Sequence, residues 1–274
     1  MNGTLLRKAF YEARWLLLGS VLLVFAFEWL YVWLVSQIPM RQFATIVGAL
    51  PKPIVALSPI PVAQWLTIEG RIAMSYNEPI ILLVLAAWSI GRGSDAVSGE
   101  LSRGTMEMLL AQPVSRRAVL SANAVVTVLG CAAIAFGSWA GLAIGMELVT
   151  LDTKATAKVF LPAAANTMAF GFFLAGATTA LSAADRYRWR TIGIVCAAFL
   201  VQKIVEIVSL MVERFAWLKP YTVFSLFKAP MFVTDAEAMR NLFWQYNGTL
   251  LGLGLAGYVA AAMIFSRRDL PAPL

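Results

Sequence analysis

The chain has 274 residues, of which 60% are hydrophobic and only 14% charged, with a net charge of +7 at pH 7 and a mean hydropathy of +0.74. Soluble domains carry about 25% charged residues, so an ordinary soluble fold is excluded and lipid is the expected solvent for much of the chain. The absence of histidine excludes histidine metal sites, Ser–His and Cys–His catalysis and histidine pH switching, and the basic excess reads as loop lysine and arginine that orient a membrane protein rather than as a nucleic-acid surface.

In chain order, Leu5 to Arg14 mixes apolar residues with Arg7, Lys8 and Arg14. That pattern suits a short amphipathic helix in the membrane interface or, equally, a basic flank to the first span. Trp15 begins an apolar run, broken by Glu28, that is long enough to cross a hydrocarbon core of about 30 Å. Residues 36–77 hold Pro39, Pro51, Pro53, Pro59 and Pro61, which rule out one continuous helix and predict short amphipathic pieces at the membrane surface. Further spans are predicted over about 78–97, 116–148, 159–184, 189–213 and 243–266, after a first span over about 15–36. The third carries Gly137, Gly141 and Gly145 at a spacing of four, one helix face on which another backbone can come close, either inside the protomer or between two copies. Cys131 and Cys196 lie inside apolar runs, form no metal spacing and read as packing residues. The connection 213–245 is rich in aromatics, among them Trp217, Tyr221, Phe224, Phe227, Phe232 and Trp244, and reads as an interfacial belt. Short loops near span ends count most in setting orientation. They place Arg7, Lys8, Arg14, Arg92, Arg103, Arg116, Arg117, Arg186, Arg188, Arg190, Arg267 and Arg268 on one side, which predicts that both termini are cytoplasmic.

The stretch between the second and third spans is the most informative. It reads SDAVSGELSRGTMEMLLAQPVSRR over residues 94–117. Asp95 and Glu100 are expected to face the cytoplasm. Gly104 is expected to break the helix and Thr105 to cap a new short one. Met106, Met108, Leu109 and Leu110 lie on that helix, Pro113 ends it, and Ser115 is placed to cap the third span. Apolar residues outside the hydrocarbon run need a partner, either lipid or protein.

This stretch resembles the type-2 permeases of ATP-binding-cassette (ABC) exporters. The resemblance rests on Asp95, Gly99-Glu100, Arg103-Gly104-Thr105, Leu109-Leu110 and Pro113-Val114-Ser115-Arg116, and on the terminal FSRRDL from Phe265 to Leu270. It implies an all-α integral membrane protein forming a single transmembrane permease domain over 1–274, with six spans, an N-terminal amphipathic helix and a cytoplasmic coupling helix that docks on a separate ATPase. It further implies that Asp95, Glu100, Arg103, Gly104, Thr105, Met106, Glu107, Met108, Leu109 and Leu110 form or support that joint. Two ATPase subunits holding ATP and Mg, a second permease chain, a homodimer by preference, and a bacterial inner-membrane location complete the expectation. A periplasmic partner for the outer connections is a further possibility.

Glu28, Lys203 and Glu206 are charges inside spans, which by default raise a pathway hypothesis. Lys203 and Glu206 stand at i, i+3 and can also simply pair, and Glu28 can simply reach the outer interface. No G-x-x-x-x-G-K-[ST] loop and no catalytic or metal-ligating set occurs in the chain, so no cofactor is expected on it. Two alternatives stay open: proton-coupled secondary transport through Glu28, Lys203 and Glu206, or an ABC-type mechanical module acting on a periplasmic partner.

Overall fold

A computed structural model describes residues 3–151 and 155–268, and every regular element among them is helical. Six stretches are long and apolar enough to cross a membrane: Gly3–Gln37, Ile68–Ser102, Arg116–Leu148, Ala157–Ala184, Arg188–Met211 and Arg240–Arg267. Asp152, Lys154 and the last two residues of the FSRRDL ending lie outside the described residues.

The N-terminal segment is not a separate interfacial helix. Gly3–Gln37 is one unbroken helix of 35 residues, and at 1.5 Å per residue it exceeds the hydrocarbon thickness. Its first turns therefore project beyond the core, and Leu5 packs there on Val119 and Ala122 at the start of the third span. Continuity is favoured because nothing between Leu5 and Trp15 interrupts the backbone hydrogen bonds, while the small faces of Ala9 and Ala13 are buried.

The first and third spans lie close along a glycine seam. A Cβ added at Gly141 would stand 2.3 Å from the Phe25 carbonyl oxygen, and one at Gly137 2.9 Å from Val21 Cγ1. A Cβ at Gly145 would meet Val32 Cβ at 3.0 Å. All three glycines thus face the first span of the same protomer. The fourth and sixth spans repeat the device, with Gly176 against the Gly254 carbonyl. Without a hydrophobic force between helices in lipid, such close approach and its van der Waals contacts hold spans together.

The two long connections enter the bundle more deeply than surface pieces would. The helix Ile68–Ala73 buries Ile68, Ile72 and Ala73 in the main apolar core, and its N-cap Thr67 accepts a hydrogen bond from the Gly70 amide. Pro79 then starts the straight part of the second span, Pro79–Ser94. In the other connection the aromatics divide. Phe224, Phe227 and Phe232 are buried, while Trp217, Tyr221 and Trp244 are exposed. Only the second set suits an interfacial belt; Phe224 and Phe227 pack with Phe170, Phe224 also with Phe199, and Phe232 packs with Phe243 and Tyr246. Asn166 ties the layers together. Its Nδ2 donates to Asn247 Oδ1 and to the Leu226 carbonyl, and its Oδ1 accepts from the Lys228 amide.

Candidate functional site at the end of the second span

The second span does not end where its apolar run ends. Past Ser94 the backbone widens into a π-helical turn, Asp95–Gly99, then closes with Glu100–Ser102. A π turn disrupts the regular ladder and frees backbone groups. Ser182 of the fourth span serves them: its Oγ accepts from the amides of Val97 and Ser98 at 3.2 and 2.9 Å and donates to the Ser94 carbonyl at 2.9 Å. A serine in an apolar span thus has a definite local task.

The turn changes where the acids point. Asp95 and Glu100 are buried, not turned to the cytoplasm. Asp95 faces three guanidinium groups: Arg103 at 2.6 Å, Arg188 of the fifth span at 3.3 Å and Arg92 at 3.6 Å. Glu100 pairs with Lys8 of the first span at 2.6 Å and with Arg103 at 3.4 Å. Arg92 also donates to Asn123 Oδ1 of the third span at 3.0 Å. Buried charges need partners and hydrogen bonds to be tolerated; here those partners come from the first, second, third and fifth spans.

Gly104 follows with φ +70°, the left-handed conformation that glycine adopts without steric cost. It is the N-cap of the short helix Thr105–Leu110, which has no side-chain cap. Thr105 does not cap; its hydroxyl instead donates to the Glu100 carboxylate. Ser115 does cap the third span, accepting from the Ala118 amide at 3.2 Å.

The short helix has two faces. Met106 is fully buried among Ala96, Val97, Leu120, Ala183, Ala261 and Phe265. Leu109 and Leu110 are half-buried and turn inward, onto the cluster of Leu5, Val119 and Ala122. Arg103, Gly104, Glu107 and Met108 form the outward side, with Met108 69% exposed. Behind the helix, two terminal arginines close helix ends. Arg116 donates to the carbonyls of Phe265 and Arg268 at 3.0 and 2.5 Å, and Arg268 to those of Ala183 and Asp185 at 2.9 and 2.8 Å. Guanidinium groups at the carbonyl ends of helices also meet the negative end of the helix dipole. Loop charge alone predicts arginine here for orientation; which carbonyls each one serves depends on residues far away in sequence.

In the turn between the fourth and fifth spans, Arg190 holds the Asp185 carboxylate with bonds of 2.8 and 2.5 Å. The amides of Arg186 and Tyr187 add two more. Arg190 first, and those amides, depress the Asp185 pKa to about 2.

The intramembrane charges sit elsewhere. Glu28 does not reach the interface. It is fully buried, and its Oε1 accepts from Ser138 of the third span at 2.8 Å. Lys203 and Glu206 pair with each other at 2.6 Å on the fifth span, with Lys203 also over the Phe224 ring. The three are therefore two separate sites, one internal and one half-exposed.

Comparison with families places these features in context. The family described as ABC-2 family transporter protein matches residues 6–270, nearly the whole chain. Comparison with curated proteins finds no match.

Proposed function

We propose, taking as premise that the chain belongs to the ABC-2 transporter family and is the multi-pass membrane subunit of an ABC transporter, that it works as an export permease driven through its short helix. The observation that carries this is the two-faced helix Thr105–Leu110. It offers Glu107 and Met108 outward, beside Arg103, while Met106, Leu109 and Leu110 lock it to the bundle.

The ATPase partner that the family implies would seat on the outward side. A displacement of the helix then has three rigid connections into the spans: Glu100 to Lys8 of the first, Asp95 to Arg188 of the fifth, and Met106 to Phe265 of the sixth. Closure of an ATPase pair bearing ATP and Mg would thereby be felt by several spans at once, as a two-state mechanism requires. In this reading two ATPase subunits serve two permease chains, in a homodimer, in a bacterial inner membrane with both termini cytoplasmic. The single-domain permease over 1–274 belongs to the same proposal.

The test is co-purification with a candidate ABC ATPase subunit co-expressed with this chain. Glu107→Arg/Met108→Asp alters only the outward side, and retained ATPase should fall by about tenfold or more, the loss expected when an interface anchor is removed. Unchanged retention by this variant overturns the reading. Charges at Leu109 and Leu110 are a poorer probe, because both side chains pack inside the protomer and their loss tests folding instead.

A further inference from the structure

A cavity of about 360 Å³ opens beside the charge network, between the first, second and fifth spans. Arg92, Arg103 and Arg188 line it against the carboxylates of Glu12 and Asp95, and Leu16 continues the wall one turn deeper along the first span. Glu12 is already engaged by Lys8 at 3.0 Å. Across the whole network Lys8, Arg92, Arg103 and Arg188 stand against Glu12, Asp95 and Glu100, which leaves positive charge in excess. The Nε–H groups of Arg92 and Arg188 are both buried and have no hydrogen-bond partner. Unmet donors on buried charged groups are costly and call for an acceptor.

An anion with several acceptor oxygens meets both needs, and guanidinium forks match phosphate best. Position identifies the source. Trp15, next to Leu16, and Trp189, next to Arg188, are 70% and 82% exposed, as tryptophans are at headgroup depth. Basic pockets between spans at that depth suit lipid headgroups. We propose that this cavity binds the phosphate of an anionic phospholipid, with an acyl chain running along Leu16. The bound headgroup ties the fifth span to the first and second. Which leaflet supplies it rests on the orientation given above; the site itself does not.

The test is native mass spectrometry of the full-length protein with phosphatidylglycerol or phosphatidylcholine. One phosphatidylglycerol is expected to be retained per chain at concentrations where phosphatidylcholine is lost. Arg188→Gln should weaken that binding about tenfold, the loss of one charge-assisted phosphate contact. Arg188→Lys should fall between, and Arg240→Gln, at the other end of the bundle, should bind as wild type. If Arg188→Gln does not yield folded protein, Arg103→Gln carries the same expectation. Equal retention of the two lipids, or wild-type binding by the glutamine variant, overturns the proposal. Displacement of the lipid by an equal concentration of inorganic phosphate overturns the lipid assignment in favour of a soluble anion. None of these readings depends on the ATPase, so failure here and failure of the coupling reading are separable.

Discussion

The seam between the first and third spans and the fifth span are both apolar helices with a charge inside, yet they are held in opposite ways. Along the seam, glycines admit the Phe25 backbone to contact distance, and Glu28 is sealed in with Ser138 as its donor. On the fifth span only Thr191, Val195 and Ser209 are buried, and its Lys203–Glu206 pair is partly open to its surroundings. The difference teaches that hydropathy recognises a span but not its attachment. The seam is rigid because backbone meets backbone; the fifth span is held by side chains, through Arg188 on Asp95 and the Asp185 turn at its start and through Val195 and Phe199 further along.

The largest expected effect breaks the seam. Gly141→Leu would force a Cβ into the Phe25 carbonyl, and overpacking of this kind costs about 3 kcal/mol or more. Recovery of monodisperse protein from membranes should collapse. Gly193→Leu on the fifth span, where a Cβ meets nothing within 4 Å, should be recovered as wild type; equal recovery of both would end the contrast.

Next is Ser138→Ala, which removes the donor to a fully buried Glu28 and should lower thermal stability by about 1–3 kcal/mol. Lys203→Met is expected to cost less, about 1 kcal/mol or under, because the side chain it removes is about one-third exposed and such pairs are weak. A larger loss for Lys203→Met than for Ser138→Ala, measured in the same detergent, would reverse the ranking of the two sites.

An effect of similar size to that of Lys203→Met concerns the anchor of the fifth span. The folded-state pKa of Asp185 is depressed to about 2, below an unfolded value of about 3.9. Its contribution is therefore present above about pH 4 and lost as the pH falls towards 2. Asp185→Asn should lower the Tm by a few degrees at pH 6, and the gap from wild type should close by pH 2. A gap that persists at pH 2 would assign the loss to packing rather than charge.

Some of the local geometry of residues 94–117 was legible in the sequence, because local rules govern local events. Ser115 caps, and Gly104 takes a positive φ. What failed there was direction. Asp95 and Glu100 sit on a π turn whose stability depends on Ser182, some 85 residues away, and no local pattern announces that hydroxyl. Thr105 departs from the expected cap because a buried Glu100, held in place by distant Lys8, takes its hydroxyl. Of the aromatics of 213–245, Phe224 and Phe227 are drawn into the core by Phe170 and Phe199, which is likewise distant information.

From its sequence alone this protein is determined to be helical and membrane-crossing, with six apolar runs and a polar excursion after the second. Crossing a hydrocarbon core without water demands internally bonded backbone over about 20 apolar residues, a condition that each run meets or fails by itself. Which face of each helix is covered, that the three glycines meet the first span, that Glu28 is enclosed, and that Met106 turns in while Met108 turns out were decided only by the assembled bundle. In lipid an apolar face gains nothing by hiding from its solvent, so helix pairing rests on shape and hydrogen bonding between segments far apart in the chain.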